Sequence, residues 1–448
     1  MRANRILFMM CVLITGLVGT ASSFAQSSLK AEAKVKAIRV GKLWDGKGRV
    51  WTNAIVIVEG ERVQEVTTDA KRVPTGAEVL DLTKYYVLPG LIDVHTHMTL
   101  YADETLSDEA GRSVPMLKQV ASNSAAVEVF VARKGAMRTL EAGVTTVRDL
   151  GSDQYMDIAM RDLINSREMI GPRMFVCGYG LSVTSTAYKG SNSSVGAPPA
   201  GGIADGVAEV LRVVRQQVAA GADVIKMFAS TGTDDDTSGY QTYGYDEIKA
   251  AVDAAHQFGK KIAIHSYGPD GARDAVRAGT DSLEHATDMD DATIAEMAKR
   301  GTYYVPTIDH NRYYVENGSK IGYTPGFEPR SQAFIARNLE TARKAHRAGV
   351  KFAMGSDSVY SMFGQNTREL GWFVRAGMSP EEALKTATSN AAELLGKGNE
   401  LGAVAPGYIA DLVAIEGDPT SDIGVVVEKV KWVMKGGAVV VDKNRAVQ

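Results

Sequence analysis

Apolar positions along the chain fall into two regimes. At both ends they form short runs broken by glycine and charged turns. Ala54-Ile55-Val56-Ile57-Val58 leads through Glu59-Gly60-Glu61-Arg62 into Val63-Gln64-Glu65-Val66, and near the other end Asp411-Leu412-Val413-Ala414-Ile415 and Val430-Lys431-Trp432-Val433-Met434 precede Lys435-Gly436-Gly437. Such runs read as strands, and the pieces 26–88 and 399–448 are expected to pair into one small β-domain. Between them, apolar strand runs alternate with amphipathic helices. The strand candidates are 87–97, 144–150, 174–180, 224–230, 261–267, 282–286, 303–308 and 351–357; the helical stretches include 127–142, 204–220, 246–258, 292–299 and 332–348. Several helices close on Ala-Gly (Ala142-Gly143, Ala220-Gly221, Ala278-Gly279, Ala348-Gly349), as helix C-termini commonly do. Eight strands alternating with helices predict an α/β chain, a (β/α)8 TIM barrel over 89–398. A doubly wound open sheet is the alternative, but no dinucleotide-binding glycine fingerprint follows the first strand.

The first 25 residues stand apart. Arg2 and Arg5 precede an apolar run over 6–18, and Ser23-Phe24-Ala25 offers small residues for cleavage after Ala25. This is the pattern of a secretory signal peptide, too short in its apolar run for the roughly 20 residues of a membrane span. Cys11 lies inside that run rather than at its end, which disfavours a lipid anchor. The mature protein is thus expected to be secreted or periplasmic, with no membrane association. Cleavage removes two arginines and no acid, so the formal charge moves from −3 to −5. A mildly acidic chain without basic runs is a poor nucleic-acid partner. Cys177 alone remains, within the buried-strand pattern Met174-Phe175-Val176-Cys177, and reads as a core residue rather than a nucleophile.

Candidate chemistry concentrates in few residues. The chain has seven histidines, and four of them, His95, His97, His265 and His285, fall at or near the C-terminal ends of predicted strands, where barrel enzymes place their active sites. In His95-Thr96-His97, alternate residues of a strand point the same way, so two imidazoles converge on the barrel mouth, an arrangement suited to a divalent metal. The apolar run Leu88-Pro89-Gly90-Leu91-Ile92-Asp93 feeds directly into this pair. His265 ends Ile262-Ala263-Ile264, and His285 ends Ser282-Leu283-Glu284. Lys226, inside Val224-Ile225-Lys226-Met227-Phe228, is costly to bury as a cation and is either salt-bridged or a desolvated amine. Asp357 ends Phe352-Ala353-Met354-Gly355-Ser356, where a carboxylate can bind a metal and accept a proton, or simply cap a helix.

The ordered set His95-x-His97, Lys226, His265, His285 and Asp357, on strands 1, 4, 5, 6 and 8, resembles the amidohydrolase superfamily, and more closely its secreted prolidase-like, imidazolonepropionase-related branch. Supporting stretches are Pro89-Gly90-Leu91-Ile92-Asp93, Gly143-Val144-Thr145-Thr146-Val147-Arg148-Asp149, Ser282-Leu283-Glu284-His285, Thr388-Ser389-Asn390-Ala391-Ala392 and Gly407-Tyr408-Ile409-Ala410-Asp411-Leu412, so the likeness spans nearly the whole mature chain. The resemblance implies a barrel beside a small β-sandwich built from both chain ends, and a binuclear metal centre. His95, His97 and Asp357 would hold the more buried ion, His265 and His285 the outer one, and Lys226, carboxylated by carbon dioxide, would bridge them. Two divalent ions are implied; imidazole and carboxylate donors suit Zn2+ without excluding manganese, iron or cobalt. A metal-bridging hydroxide would attack the scissile carbonyl, with Asp357 as general base. Tyr267, two residues beyond His265, is placed either to donate to the developing oxyanion or to pack as an aromatic.

The relatives so implied cleave dipeptides or N-acyl amino acids, many as carboxypeptidases of the Xaa-Pro dipeptidase type. Cyclic amides, lactones and xenobiotic amides or esters are alternative substrates of the same site, and a non-catalytic metal-binding protein is a reading of another class. Where many relatives carry Thr-Gly-Gly-His after strand 3, this chain has Thr184-Ser185-Thr186-Ala187, which puts the substrate in doubt; Ser358 stands where alanine is usual. The segment 231–245, with Asp234-Asp235-Asp236 and Tyr240, is long enough to fold over the site. His310 and Arg312 follow strand 7; Arg312 is a candidate partner for a substrate carboxylate, or an ordinary surface arginine. The expected partner is a small amide or dipeptide; the resemblance leaves a homo-oligomer open.

Overall fold

The computed structural model describes residues 35–184 and 201–444. The expected signal peptide, together with Ser185, Thr186 and Ala187, lies outside the described residues. Four strands open the chain: β1 (Lys36–Trp44), β2 (Val50–Glu59), β3 (Arg62–Thr67) and β4 (Glu78–Pro89). Eight follow with helices between them: β5 (Leu91–Thr96), β6 (Val144–Asp149), β7 (Arg173–Val176), β8 (Val224–Phe228), β9 (Lys261–Ser266), β10 (Ser282–His285), β11 (Tyr303–Val305) and β12 (Lys351–Phe352). Three close it: β13 (Leu412–Ile415), β14 (Val430–Lys435) and β15 (Ala438–Asp442).

The two chain ends pair as expected. They share one seven-stranded sheet in the order β15-β14-β13-β4-β1-β2-β3, in which only β1 and β4 run parallel. Strand β4 sits in its middle and is buried on both faces at its C-terminal end. Leu82, Tyr85 and Val87 join Ile38, Val56, Leu412 and Trp432 in the sheet's own core, while Tyr86 and Leu88 belong to the barrel core. That two-sided burial explains why the sequence there runs apolar without alternation.

The eight middle strands form the barrel. Parallel ladders join β5-β6-β7 and β8-β9-β10-β11-β12. Parallel bridges Leu181↔Met227 and Thr96↔Ser358 close the ring, with the Leu181 N–H donating to Lys226 O (2.9 Å) and the Asp357 N–H to His95 O (2.7 Å). The structure is therefore the α/β barrel with a terminal β-domain, not an open sheet. Among the described residues no helix is long and apolar enough to cross a membrane.

Three expected strands are redrawn. The run 87–97 is two strands, because the chain passes from the terminal sheet to the barrel at Pro89-Gly90. A Cβ on Gly90 would lie 2.2 Å from Thr145 Oγ1, so only glycine fits the crossing. The run 303–308 ends as a strand at Val305; Thr307 takes a left-handed φ of 50° and Ile308–Ile321 is helical, which puts His310 and Arg312 on a helix. In 351–357 the regular strand stops at Phe352, and the rest is extended chain laid along β5, with the Val94 N–H donating to Met354 O (2.8 Å).

Candidate metal centre

The strand ends bring the ordered set together. His95 Nε2 and His97 Nε2 lie 3.5 and 3.2 Å from Asp357 Oδ1, and one ligand atom from each of the three residues falls within 4.8 Å of the others. The second Asp357 oxygen is 3.4 Å from His310 Nε2 and 3.9 Å from His285 Nδ1. The His285 ring centroid is 5.0 Å from that of His95 and 4.5 Å from that of His265. Lys226 is 1% exposed. Its Nζ and the Nε2 of His265 are buried with no hydrogen-bond partner among the described residues. A buried amine and a buried ring nitrogen left unpaired are costly, and native interiors seldom leave them so. They fit a centre that a cation and an added anionic group complete.

Local backbone explains how the side chains reach inward. His285, Thr307 and Asp357 all adopt left-handed φ (69°, 50° and 56°) at the ends of their barrel strands. Non-glycine residues pay for this conformation and hold it where surroundings over-determine it. Around Asp357 those surroundings are explicit. Buried Asp93 accepts from the Ser356 N–H (2.9 Å), the Ser356 hydroxyl (2.5 Å) and Asn366 Nδ2 (2.9 Å), and Ser358 Oγ meets Ser356 Oγ at 2.6 Å.

Three other ring nitrogens have partners, whereas His310 Nδ1 is buried with none among the described residues. His95 Nδ1 meets Glu284 Oε2 at 2.8 Å, His97 Nδ1 meets Gly151 O at 3.0 Å, and His285 Nδ1 meets Thr307 Oγ1 at 2.6 Å. Burial drives His265 and His285 well below the usual histidine range and His95 down to about 4. Burial likewise lowers the Lys226 ammonium, against the pull of Glu284 and Asp357. For Asp357 burial acts upward, yet His310, His95 and His97 together hold the carboxyl well below its ordinary value. His97 differs: burial acts downward on it, but the adjoining Asp357 carboxylate raises it above the usual histidine value. Neutral His95, His265 and His285 beside an ionised carboxylate are the protonation states that metal ligation requires, and a cation placed there would displace the proton that His97 shares with Asp357.

Tyr267 stacks on His265 (centroids 5.0 Å, 18°) and packs edge-on against His285 and close to Phe334. Burial pushes its phenol far upward, so it stays a donor. The segment after β8 covers it: a Cβ on Gly232 would lie 2.4 Å from the Tyr267 ring, and Asp234 accepts from Tyr323 (2.9 Å) and Tyr314 (3.4 Å) beyond β11. Tyr240 itself is 77% exposed. His310 Nε2 faces Asp357 Oδ2. Arg312 is engaged: Nε and Nη2 grip the two oxygens of buried Asp309 (2.9 and 2.6 Å), and Nη1 pairs with Glu316. A substrate carboxylate would have to displace these partners. Thr184 is exposed and tied to Asp205 through its backbone N–H (3.0 Å) and hydroxyl.

Sequence reasoning passed over Glu284, Arg148 and Thr307. The first two carried the same signal as Lys226, a charged residue inside an apolar strand; Thr307 carried none.

The sequence profile of the amidohydrolase family matches residues 86–440. An ochratoxinase of Aspergillus niger is 30% identical over 440 residues, covering 91% of this chain and 86% of that protein. An imidazolonepropionase of Porphyromonas gingivalis is 25% identical over 76% of this chain and 77% of its own length. Among solved structures, a Xaa-Pro dipeptidase with methionine bound in its active site superposes with a TM-score of 0.81 at 31% identity, over 91% of this chain and 100% of that one.

Proposed function

We propose, on the premise that the chain belongs to the amidohydrolase family, in its prolidase-like branch, and hydrolyses carbon–nitrogen bonds, that it cleaves the amide of a dipeptide or N-acyl amino acid at a two-metal centre. The observation that carries the two-metal reading is the pair of orphaned buried nitrogens, Lys226 Nζ and His265 Nε2, beside the converging His95, His97 and Asp357. His95, His97 and Asp357 would hold one divalent ion, His265 and His285 the other, and carboxylated Lys226 would serve both. Such ions acidify water held between them and polarise a carbonyl. Zinc is the expected metal.

The chain's own groups supply the rest. Asp357 accepts the proton of the attacking water and passes it to the departing nitrogen, so the products are a carboxylic acid and a free amine. His310, 3.4 Å from Asp357 Oδ2, keeps that carboxylate oriented between transfers. The Tyr267 hydroxyl donates to the carbonyl oxygen as it gains charge. The signal-peptide pattern supports work outside the cytoplasm. The test is metal-reconstituted protein assayed against dipeptides, N-acyl amino acids, lactones and aryl esters. Release of free amino acid from the amides is expected; turnover confined to lactones or esters overturns the reading.

A further inference from the structure

Three histidines of the centre are braced at a ring nitrogen by chemically unequal partners. His97 leans on a backbone carbonyl and His285 on a threonine hydroxyl, whereas His95 leans on a carboxylate. That carboxylate, Glu284, is itself clamped. Arg148 Nη2 donates to Glu284 Oε1 (2.9 Å), Ser282 Oγ donates to the same oxygen (2.5 Å), Arg148 Nη1 reaches Ser282 Oγ (3.0 Å), and Arg148 Nε is fixed on Val94 O (2.5 Å). Glu284 is 0% and Arg148 1% exposed, so no solvent weakens the chain of contacts.

A carboxylate behind an imidazole fixes which nitrogen faces the metal and makes it a stronger donor than a hydroxyl or carbonyl does. The Arg148 guanidinium supplies the countercharge that burying Glu284 demands. We propose that the Arg148–Glu284 pair acts as a positioning element that makes the His95–His97–Asp357 position the tightly held metal, and that Thr307 leaves the His265–His285 position exchangeable. This rests on the two-metal reading. Loading is then sequential: the chain keeps the ion at His95, His97 and Asp357 through dilution or chelation and recovers the other from its surroundings.

The test uses the full chain reconstituted with Co2+ and dialysed against graded chelator, following cobalt content per chain and the visible d–d spectrum. Wild type should lose one ion first and keep the second at chelator levels at least tenfold higher. Glu284→Gln should weaken retention of the second ion about 10- to 100-fold while the first is unchanged. Thr307→Val should do the reverse. Should Glu284→Gln fail to fold, Ser282→Ala loosens the clamp while leaving the ion pair, and a smaller loss in the same direction is expected. Simultaneous release of both ions from wild type overturns the inference. So does a Glu284→Gln or Ser282→Ala protein whose apo form melts lower but whose metal retention is unaltered. A wild type that binds one ion overturns the two-metal reading; a Glu284→Gln effect on that single ion then still decides the role of Glu284.

Discussion

Two groups of candidate residues sit on different kinds of structure. His95, Lys226, His265, His285 and Asp357 come from the barrel strands or their extended continuations, each placed by ladder or bridge hydrogen bonds to its neighbours. Thr184, Tyr240 and Arg312 come from the segments that connect barrel strands, Arg312 from the helix Ile308–Ile321. The histidines and Asp357 of the first group converge within a few ångströms, while Tyr240 turns to solvent and Arg312 closes on Asp309 and Glu316. Side chains on rigid strands point where the pleat sends them, and side chains on connections take whichever partner lies at hand.

The sharpest way to break this contrast is Lys226→Ala. If the strand-end set works as one unit, kcat/KM falls about 1,000-fold or more and bound metal, counted by elemental analysis, drops with it; full activity would separate Lys226 from the set. Tyr267→Phe asks whether the stacked phenol belongs to the working group or only packs. An oxyanion donor predicts a fall in kcat of about 100-fold at nearly constant KM, whereas packing alone predicts no change in kcat. Arg312→Gln tests the other side. Steady-state rates on the folded variant should stay within about threefold, but chemical denaturation should show a loss of about 2 kcal/mol, because buried Asp309 loses its two-pronged partner and keeps only the longer contact to Arg368 (3.6 Å) and the Trp372 indole N–H (2.8 Å).

The smallest effect lies on the outer helix Ala125–Glu141. Burial and the charge of Asp153 push the Glu128 carboxyl from 4.5 to about 7. The folded state therefore holds this proton more firmly than the unfolded chain. The resulting stability is present below pH 4.5 and is lost as pH rises through 7. Glu128→Gln should be indistinguishable from wild type near the lower pH and more stable by about 1 kcal/mol at pH 8, with catalysis unchanged.

Much of the architecture was legible because the local rules agreed. Gly143, Gly221, Gly279 and Gly349, each read as a helix end after alanine, all have left-handed φ between 78° and 98°. The candidate set was legible because His95, His265, His285 and Asp357 end apolar runs and Lys226 interrupts one. The braces were not. Glu284 and Arg148 lie 136 residues apart and meet only across the barrel interior. Nothing around Thr307 announces a left-handed residue, since its conformation follows from the helix that starts at Ile308. Nothing in the run after Val305 marks the helix that sets Asp309 one turn from Arg312, so the pair that engages this arginine emerges only from the fold.

Strand β4 also constrains when this protein can become itself. Its right-hand neighbour β1 is made within the first tenth of the chain, but its left-hand neighbour β13 begins only at Leu412, and Gly90 at the doorway to His95 donates to Asp411 O (2.8 Å). During synthesis β4 therefore waits with one edge unpaired until nearly all the polypeptide has emerged. Its ladder is completed last, by residues whose loop closure spans more than three hundred positions. The ordering of the strand that carries His95 is thereby tied to the arrival of the chain's far end, and a chain stopped short of β13 would carry every predicted ligand yet lack the sheet that anchors the first of them.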